Sequence, residues 1–182
     1  MADPARAWHD EHMYFNRMLA MLAKEVDVLA TGGSPNYGLM LDIISYLREY
    51  SDVVHHPRED EVFRRLALLR PDRELRVARL RQEHRVIAAA GETLRKLLEE
   101  AVADAMMSRA EIEIAAATFL VYYGNHIQTE EEDILPLAAK LLSEADWAAA
   151  KAMAPSAHDP VFGANPTQRF SELRRRIAAE AG

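Results

Sequence analysis

Apolar residues recur at steps of three and four along most of the chain, the spacing of amphipathic helices that bury one face. Trp8, Phe15, Leu19, Leu22, Val26 and Leu29 form the first such stripe, with His12 filling the missing step. Val77, Leu80, Ile87, Gly91, Leu94 and Leu98 form another, with His84 in its gap. A third joins Ile112, Ala115, Phe119, Tyr122, Ile134, Leu137 and Leu141, interrupted by His126 and Glu130. Turn chemistry sets the boundaries. The first helix is predicted from Pro4 to Ala30, before Thr31-Gly32-Gly33-Ser34-Pro35, and the second from about Asn36 to Leu69. The third starts near Asp72, read as an N-cap, and fades around Asp104. The fourth opens at Ser108, with Glu111 completing a capping box, and runs to about Leu142. Ser143 and Asp146 repeat that signature for a short fifth helix, and a basic last helix spans Thr167 to Ala181. No strand alternation and no internal repeat is visible. The pattern predicts an all-α fold: an up-down-up-down four-helix bundle over residues 1–142, with a C-terminal helical extension over 143–182 packed on it.

Composition narrows the chemistry. With 182 residues and 49% hydrophobic, the chain can bury a core without covalent staples. It has no cysteine, which excludes disulfide scaffolds, thiolate zinc sites, iron–sulfur clusters and cysteine nucleophiles. A net charge of −7 argues against nucleic acid as a partner. No apolar run approaches the ~20 residues of a membrane span, and Met1-Ala2-Asp3-Pro4 does not open a signal peptide, so a cytoplasmic location is expected. Seven histidines and 29 acidic residues leave imidazole plus carboxylate as the available metal chemistry.

The polar residues on the buried stripes carry the functional signal, because an unpaired buried polar group costs on the order of 1–3 kcal/mol. One histidine on a stripe is ordinarily a satisfied core residue. Here His12, His84 and His126 each occupy one, and the second helix adds His55-His56-Pro57-Arg58-Glu59. In an antiparallel bundle these positions share one end of the molecule, in a slab roughly 10–25 Å deep at about 1.5 Å per residue. His55/Glu59 and His126/Glu130 are each four apart, so each pair shares a helix face. Two such pairs on alternate helices, with lone histidines on the other two, is the layout of a dinuclear carboxylate site. Imidazole with carboxylate suits iron, manganese or zinc, and bridging carboxylates favour iron or manganese.

These residues resemble the hemerythrin-like family, the HHE cation-binding domain. The matching segments are Glu11-His12, the run from His55 to Phe63, Glu83-His84, and the run from His126 through Ile134-Leu135-Pro136, together covering about residues 8–142. Asp159-Pro160-Val161-Phe162-Gly163 looks like the tail of one bacterial branch. The resemblance implies a non-haem di-iron centre with an oxo, hydroxo or water bridge. His12, His55, His84 and His126 would be terminal ligands and Glu59 and Glu130 would bridge, while His56 stands where some relatives place an extra ligand. Oxygen-carrying members have a second histidine where this chain has Ala88, and a longer histidine–aspartate spacing where it has His126 and Glu130. Some bacterial relatives place a histidine at the position of Tyr123.

The expected function is a di-iron protein that binds or reduces dioxygen, peroxide or nitric oxide. The alternatives are an iron- or oxygen-responsive sensing module without turnover, and a bundle whose histidines hold no metal. Asp60, Glu61, Glu131 and Glu132 read as a solvated acidic rim, Tyr123 as packing or a supporting hydrogen bond, and His9 as an exposed neighbour. Tyr14, Tyr50, Tyr122 and Phe119 read as core, with limiting water access and tuning the pocket as the alternative, and His158 has no obvious partner. The last helix offers Arg169, Arg174, Arg175 and Arg176 to solvent or a partner, with Phe170, Leu173 and Ile177 packing on the bundle. Pro57 removes a backbone donor inside a helix, which predicts a kink or altered winding that aims His55 and His56.

Overall fold

A computed structural model describes residues 4–103, 108–154, 159–163 and 167–180. His158 lies outside the described residues. All regular structure among them is helical: α1 (Pro4–Ala30), α2 (Tyr37–Tyr46), α3 (His56–Leu69), α4 (Glu74–Val102), α5 (Arg109–Thr129), α6 (Leu135–Leu141), α7 (Glu144–Ala152) and α8 (Ser171–Glu180). No described helix is long and apolar enough to cross a membrane.

Four rods make the bundle: α1, α2 joined to α3, α4, and α5 joined to α6. Each packs against the next in the chain, and the fourth closes on the first through α1 with α5 and α6. The all-α expectation holds. Burial explains it, since every residue of the first and second sequence stripes faces the core. The Gly32 turn closes α1 with a positive φ of 80°. A Cβ on Gly33 would meet Val28 at 2.8 Å, so the glycine pair permits the tight reversal. Ser143 and Asp146 form the complete capping box expected of them. At the start of α4 the expectation fails: Asp72 bonds Arg70 in a single 3-10 turn, and Arg73 stands at the N-cap without a side-chain bond.

Two rods are not continuous α-helix. The second passes through a π-helical segment, Leu47–His55, and the fourth through another, Glu130–Ile134. Each segment ends two residues before a proline, Pro57 and Pro136. A proline in an α-helix has no N–H and its ring collides with the carbonyl four residues back. The wider π turn relieves both conflicts: the N–H of His56 reaches back five residues to Ser51, and that of Leu135 reaches Glu130. Arg58 Nε donates to the Val54 carbonyl at 2.9 Å, satisfying an acceptor in the altered turn. The inserted residues let Tyr50, Ser51, Val54, His55, His56 and Glu59 all point inward.

The third stripe holds at Ile112, Phe119 and Ile134, which are buried, but at its other steps the buried residue is one later than predicted. Ala116 and Tyr123 are buried, whereas Tyr122 is exposed. Because α5 is apolar on nearly every side, with Ile114 and Val121 also exposed, periodicity alone cannot select its inner face. Beyond the bundle, α7 packs on α3, and Phe170, Leu173 and Ile177 are buried in the main core beside Tyr46. The arginine-bearing face of α8 is turned outward, as expected.

Candidate metal centre

His12, His55, His56, Glu59, His84, His126 and Glu130 all lie in one layer, and none is more than 6% exposed. The geometry divides into two matching halves. His12 Nε2 and His55 Nε2 face each other at 3.0 Å, as do His84 Nε2 and His126 Nε2. Glu59 serves both halves: Oε1 lies 2.7 Å from His55 and 3.2 Å from His12, and Oε2 lies 3.3 Å from His84. Glu130 does the same in the opposite sense, with Oε1 at 3.1 Å from His126 and Oε2 at 3.5 Å from His12. Each half thus offers two imidazole nitrogens and an oxygen from each glutamate.

The outer nitrogens fix the inner ones. His12 Nδ1 donates to Glu131 (2.6 Å), His84 Nδ1 to Asp60 (3.1 Å), His126 Nδ1 to Glu83 (3.2 Å) and His55 Nδ1 to Glu11. An ionised carboxylate only accepts, so the hydrogen sits on Nδ1 and the Nε2 lone pair is aimed at the centre. These carboxylates are anchored in turn: Glu11 by Arg58 (2.6 Å), Glu83 by Arg79 (2.9 Å), Asp60 by Arg81 (3.5 Å) and Glu131 by His9 (2.8 Å). Asp60 and Glu131 are therefore part of the site, not the solvated rim the sequence suggested. Glu61 pairs with Arg64 and Arg65, and Glu132 accepts from Gln128, outside the site. Glu11 and Glu83 are the functional residues that sequence reasoning missed, although each precedes a stripe histidine.

Electrostatics show a cavity built for positive charge. Burial disfavours a charged His12, but the Glu131 hydrogen bond and the neighbouring Glu59 and Glu130 outweigh it and hold the ring up to about 10. Burial is likewise overcome at His84, held up to about 11 by Asp60, Glu130 and Glu59, and at His126, held up to about 9 by Glu130. Burial would raise Glu59, yet His55, His12 and His84 keep it well below the usual carboxylate range. Glu130 is also lowered, with burial and Glu59 opposing and His126 prevailing. Two facing Nε2 atoms with both Nδ1 positions protonated need a shared cation, whether a proton or a metal ion.

The fit to a metal is direct. Glu59 Oε2 and both oxygens of Glu130 are buried without a hydrogen-bond partner. Such orphaned carboxylate oxygens are costly unless they coordinate a cation. Two donor groups lie within ligating distance, one of His56, Glu59, His84 and His126 and one of His12, His55 and Glu59.

His56 differs from the others. Its ring stacks on His84 at 4.1 Å and 10° from parallel. Burial and then the charge of His84 keep it neutral, well below the ordinary histidine range. With Nδ1 facing Asp52 at 3.4 Å, Nε2 accepts from the Ser51 hydroxyl at 3.1 Å, whose oxygen also meets the hydroxyl of fully buried Tyr123. Tyr123 thus acts through Ser51, as the supporting reading expected.

A cavity of about 10 Å³ adjoins the layer, room for about one water-sized molecule. His12, Glu59 and Glu130 form its inner wall and Trp8, Val62, Phe63 and Ile134 its apolar one. A larger groove of about 420 Å³ lies between α4 and α5, on a surface that contains none of the clustered histidines. Size does not mark the chemistry here.

The model of the hemerythrin HHE cation-binding domain matches residues 3–138. The chain belongs to this family. The match reaches all four rods and includes every residue of the buried layer, so the layer and the bundle that holds it are features of one family domain. A search of curated proteins finds no match.

Proposed function

We propose that this hemerythrin-family chain holds a dinuclear non-haem iron centre that binds or reduces a small oxidant: dioxygen, peroxide or nitric oxide. The observation that carries the reading is the twin donor set, with Glu59 and Glu130 each reaching into both halves. His12, His55, His84 and His126 would be terminal ligands, the two glutamates would bridge, and His56 is in reach of the His84/His126 half. Nitrogen and oxygen donors without thiolate suit iron or manganese, with zinc a possible substitute. Two adjacent iron ions would supply two-electron redox chemistry at open coordination positions.

The protein's own residues set the conditions. Glu59 and Glu130 would hold the two ions at a set spacing, and the four outer carboxylates hold each ring in one tautomer and orientation. The cavity against His12 has room for about one water-sized molecule, and its apolar wall favours an uncharged occupant.

The test follows peroxide loss and charge-transfer absorbance together in iron-loaded protein. Consumption of peroxide with the absorbance change, both abolished in Glu130→Ala, is the expected result. Turnover that survives Glu130→Ala would place the reaction elsewhere. Oxidant binding without repeated consumption would assign the site to sensing.

A further inference from the structure

Beside the centre, two buried tyrosines are arranged for more than packing. Tyr46 ends α2 and Tyr50 lies in the first π-helical segment; their rings stack with centroids 5.8 Å apart and planes 15° from parallel. Tyr50 donates to Glu11 Oε1 at 3.0 Å, and Tyr46 donates to Asp159 Oδ2 at 2.9 Å. Through its other oxygen, Glu11 accepts from His55 Nδ1. One line of contacts therefore runs from His55 through Glu11, Tyr50 and Tyr46 to Asp159. Both rings are at most 6% exposed, so the two phenols are shielded from water.

That end is a built turn. Asp159 Oδ1 accepts from the N–H groups of Val161 and Phe162 at 2.7 and 2.8 Å. A Cβ on Gly163 would lie 2.4 Å from the Asp159 carbonyl oxygen, so only glycine fits there. Phe162 stacks on half-buried Tyr14 at 4.0 Å, where the line meets the surface.

Any hydrogen-bond acceptor would satisfy a buried phenol. Here both acceptors are carboxylates, bases that can take the proton a phenol must lose when it gives up an electron. Burial, and then the neighbouring carboxylates, push both phenols above the ordinary tyrosine range, so both remain protonated donors at neutral pH.

We propose that Tyr50 and Tyr46 form a proton-coupled electron relay that discharges strongly oxidising states of the centre to the face formed by residues 159–163. The inference rests on the functional reading above, with peroxide as the oxidant. An electron passes from Tyr50 to the centre while its phenolic proton moves to Glu11 Oε1, leaving a neutral phenoxyl. Tyr46 then gives an electron across the stacked rings; Tyr50 recovers its proton from Glu11, and the Tyr46 proton moves to Asp159 Oδ2. A one-electron reductant at the surface, such as ascorbate, restores Tyr46 as the proton returns from Asp159. Two passes supply the two electrons that, with two protons from solvent, reduce one peroxide to two waters.

The test uses the iron-loaded full chain, prepared with ring-deuterated and ordinary tyrosine, mixed with excess peroxide, freeze-quenched and examined by electron paramagnetic resonance. A tyrosyl signal that narrows on deuteration and falls to background in Tyr50→Phe is expected. In Tyr46→Phe the signal still forms, but ascorbate quenches it several-fold more slowly. Iron content measured on each variant separates a broken relay from a misfolded bundle. Peroxide consumption without a tyrosyl signal overturns the relay, as does an undiminished signal in iron-loaded Tyr50→Phe. So does a tryptophan radical in its place, arising from Trp8, which sits 5.8 Å from His55 and 5.2 Å from Trp147. Failure of the parent chain to take up iron or consume peroxide overturns the functional reading and the relay together.

Discussion

Glu11 supports His55 and not its own neighbour, His12. Its carboxylate accepts the Nδ1–H of a histidine 44 residues further on, and Glu83 likewise accepts that of His126, 43 residues on. The correspondence extends through the layer. Glu11-His12 with His55, Glu59 and Asp60 matches Glu83-His84 with His126, Glu130 and Glu131. The facing Nε2 pairs are 43 and 42 residues apart in the two halves, both at 3.0 Å. A local twofold arrangement of this kind makes two equivalent donor sets. His56 breaks it, since the corresponding position is Ile127.

The outer carboxylates are expected to control metal affinity without touching the metal. Glu83→Ala leaves His126 free to rotate and to change tautomer, and should weaken binding by about 10–100-fold in a chelator competition. Glu61→Ala removes only pairs with Arg64 and Arg65 and should leave affinity unchanged. Equal losses from both would mean that general instability, not ring orientation, is being measured.

The metal-free chain should lose stability as pH rises. His12, His84 and His126 are held up at about 10, 11 and 9 against an ordinary 6.5. A raised value in the folded state stabilises fully below the unfolded value and is lost as pH climbs through the folded one. The urea midpoint of metal-free protein should therefore fall from about pH 6.5 upward through the range of these folded values. Metal competes with the same protons, so affinity should rise over that range and binding should release protons. Urea unfolding with and without metal at several pH values checks both slopes; a metal-free midpoint that rises in alkali contradicts this charge assignment.

Pro57→Ala should separate stability from function. Restoring the missing N–H removes the conflict that favours the π segment and lets the second rod approach regular α-helix. The metal-free chain should then unfold at an equal or higher temperature, while chelator competition shows weaker metal binding because His55, His56 and Glu59 no longer share one inner face. Unchanged affinity would show that the π segment is held by packing alone.

Much of this was legible in sequence because it rests on local periodicity. His12 and His84 stand out as gaps in otherwise complete apolar stripes, and a spacing of four puts His55 with Glu59 and His126 with Glu130. Pro57 signalled altered winding, whereas the fourth rod was read as one continuous helix to Leu142 and its π segment at Glu130–Ile134, two residues before Pro136, was not anticipated. The identity of the partner at each outer nitrogen was not legible, since it depends on which rods face each other. Asp60 and Glu131 sit beside ligand positions like ordinary rim acids, yet each reaches a histidine on a different rod. Tyr122 was placed on the inner face in place of Tyr123 because α5 lacks a polar face to orient it.

Gly91→Ala tests the contact that sets α4 against α5 below the layer. The added Cβ would meet Phe119 Cε2 at 3.0 Å, and Phe119 is itself fully buried. Overpacking should outweigh the helix-propensity gain and cost about 1–2 kcal/mol, a fall of about 2–8 °C in thermal midpoint. Thermal unfolding of the metal-free variant measures it. A rise in midpoint would mean that Phe119 moves aside freely.

One chain should bind two metal ions, with Glu59 and Glu130 each shared between them. Anaerobic titration of the metal-free protein with ferrous iron tests it directly, with tryptophan fluorescence as the readout because the Trp8 ring lies 5.8 Å from that of His55. Quenching should end at two ions per chain, with both lost in Glu59→Ala. An endpoint at one ion, or no uptake at all, would contradict two-ion binding.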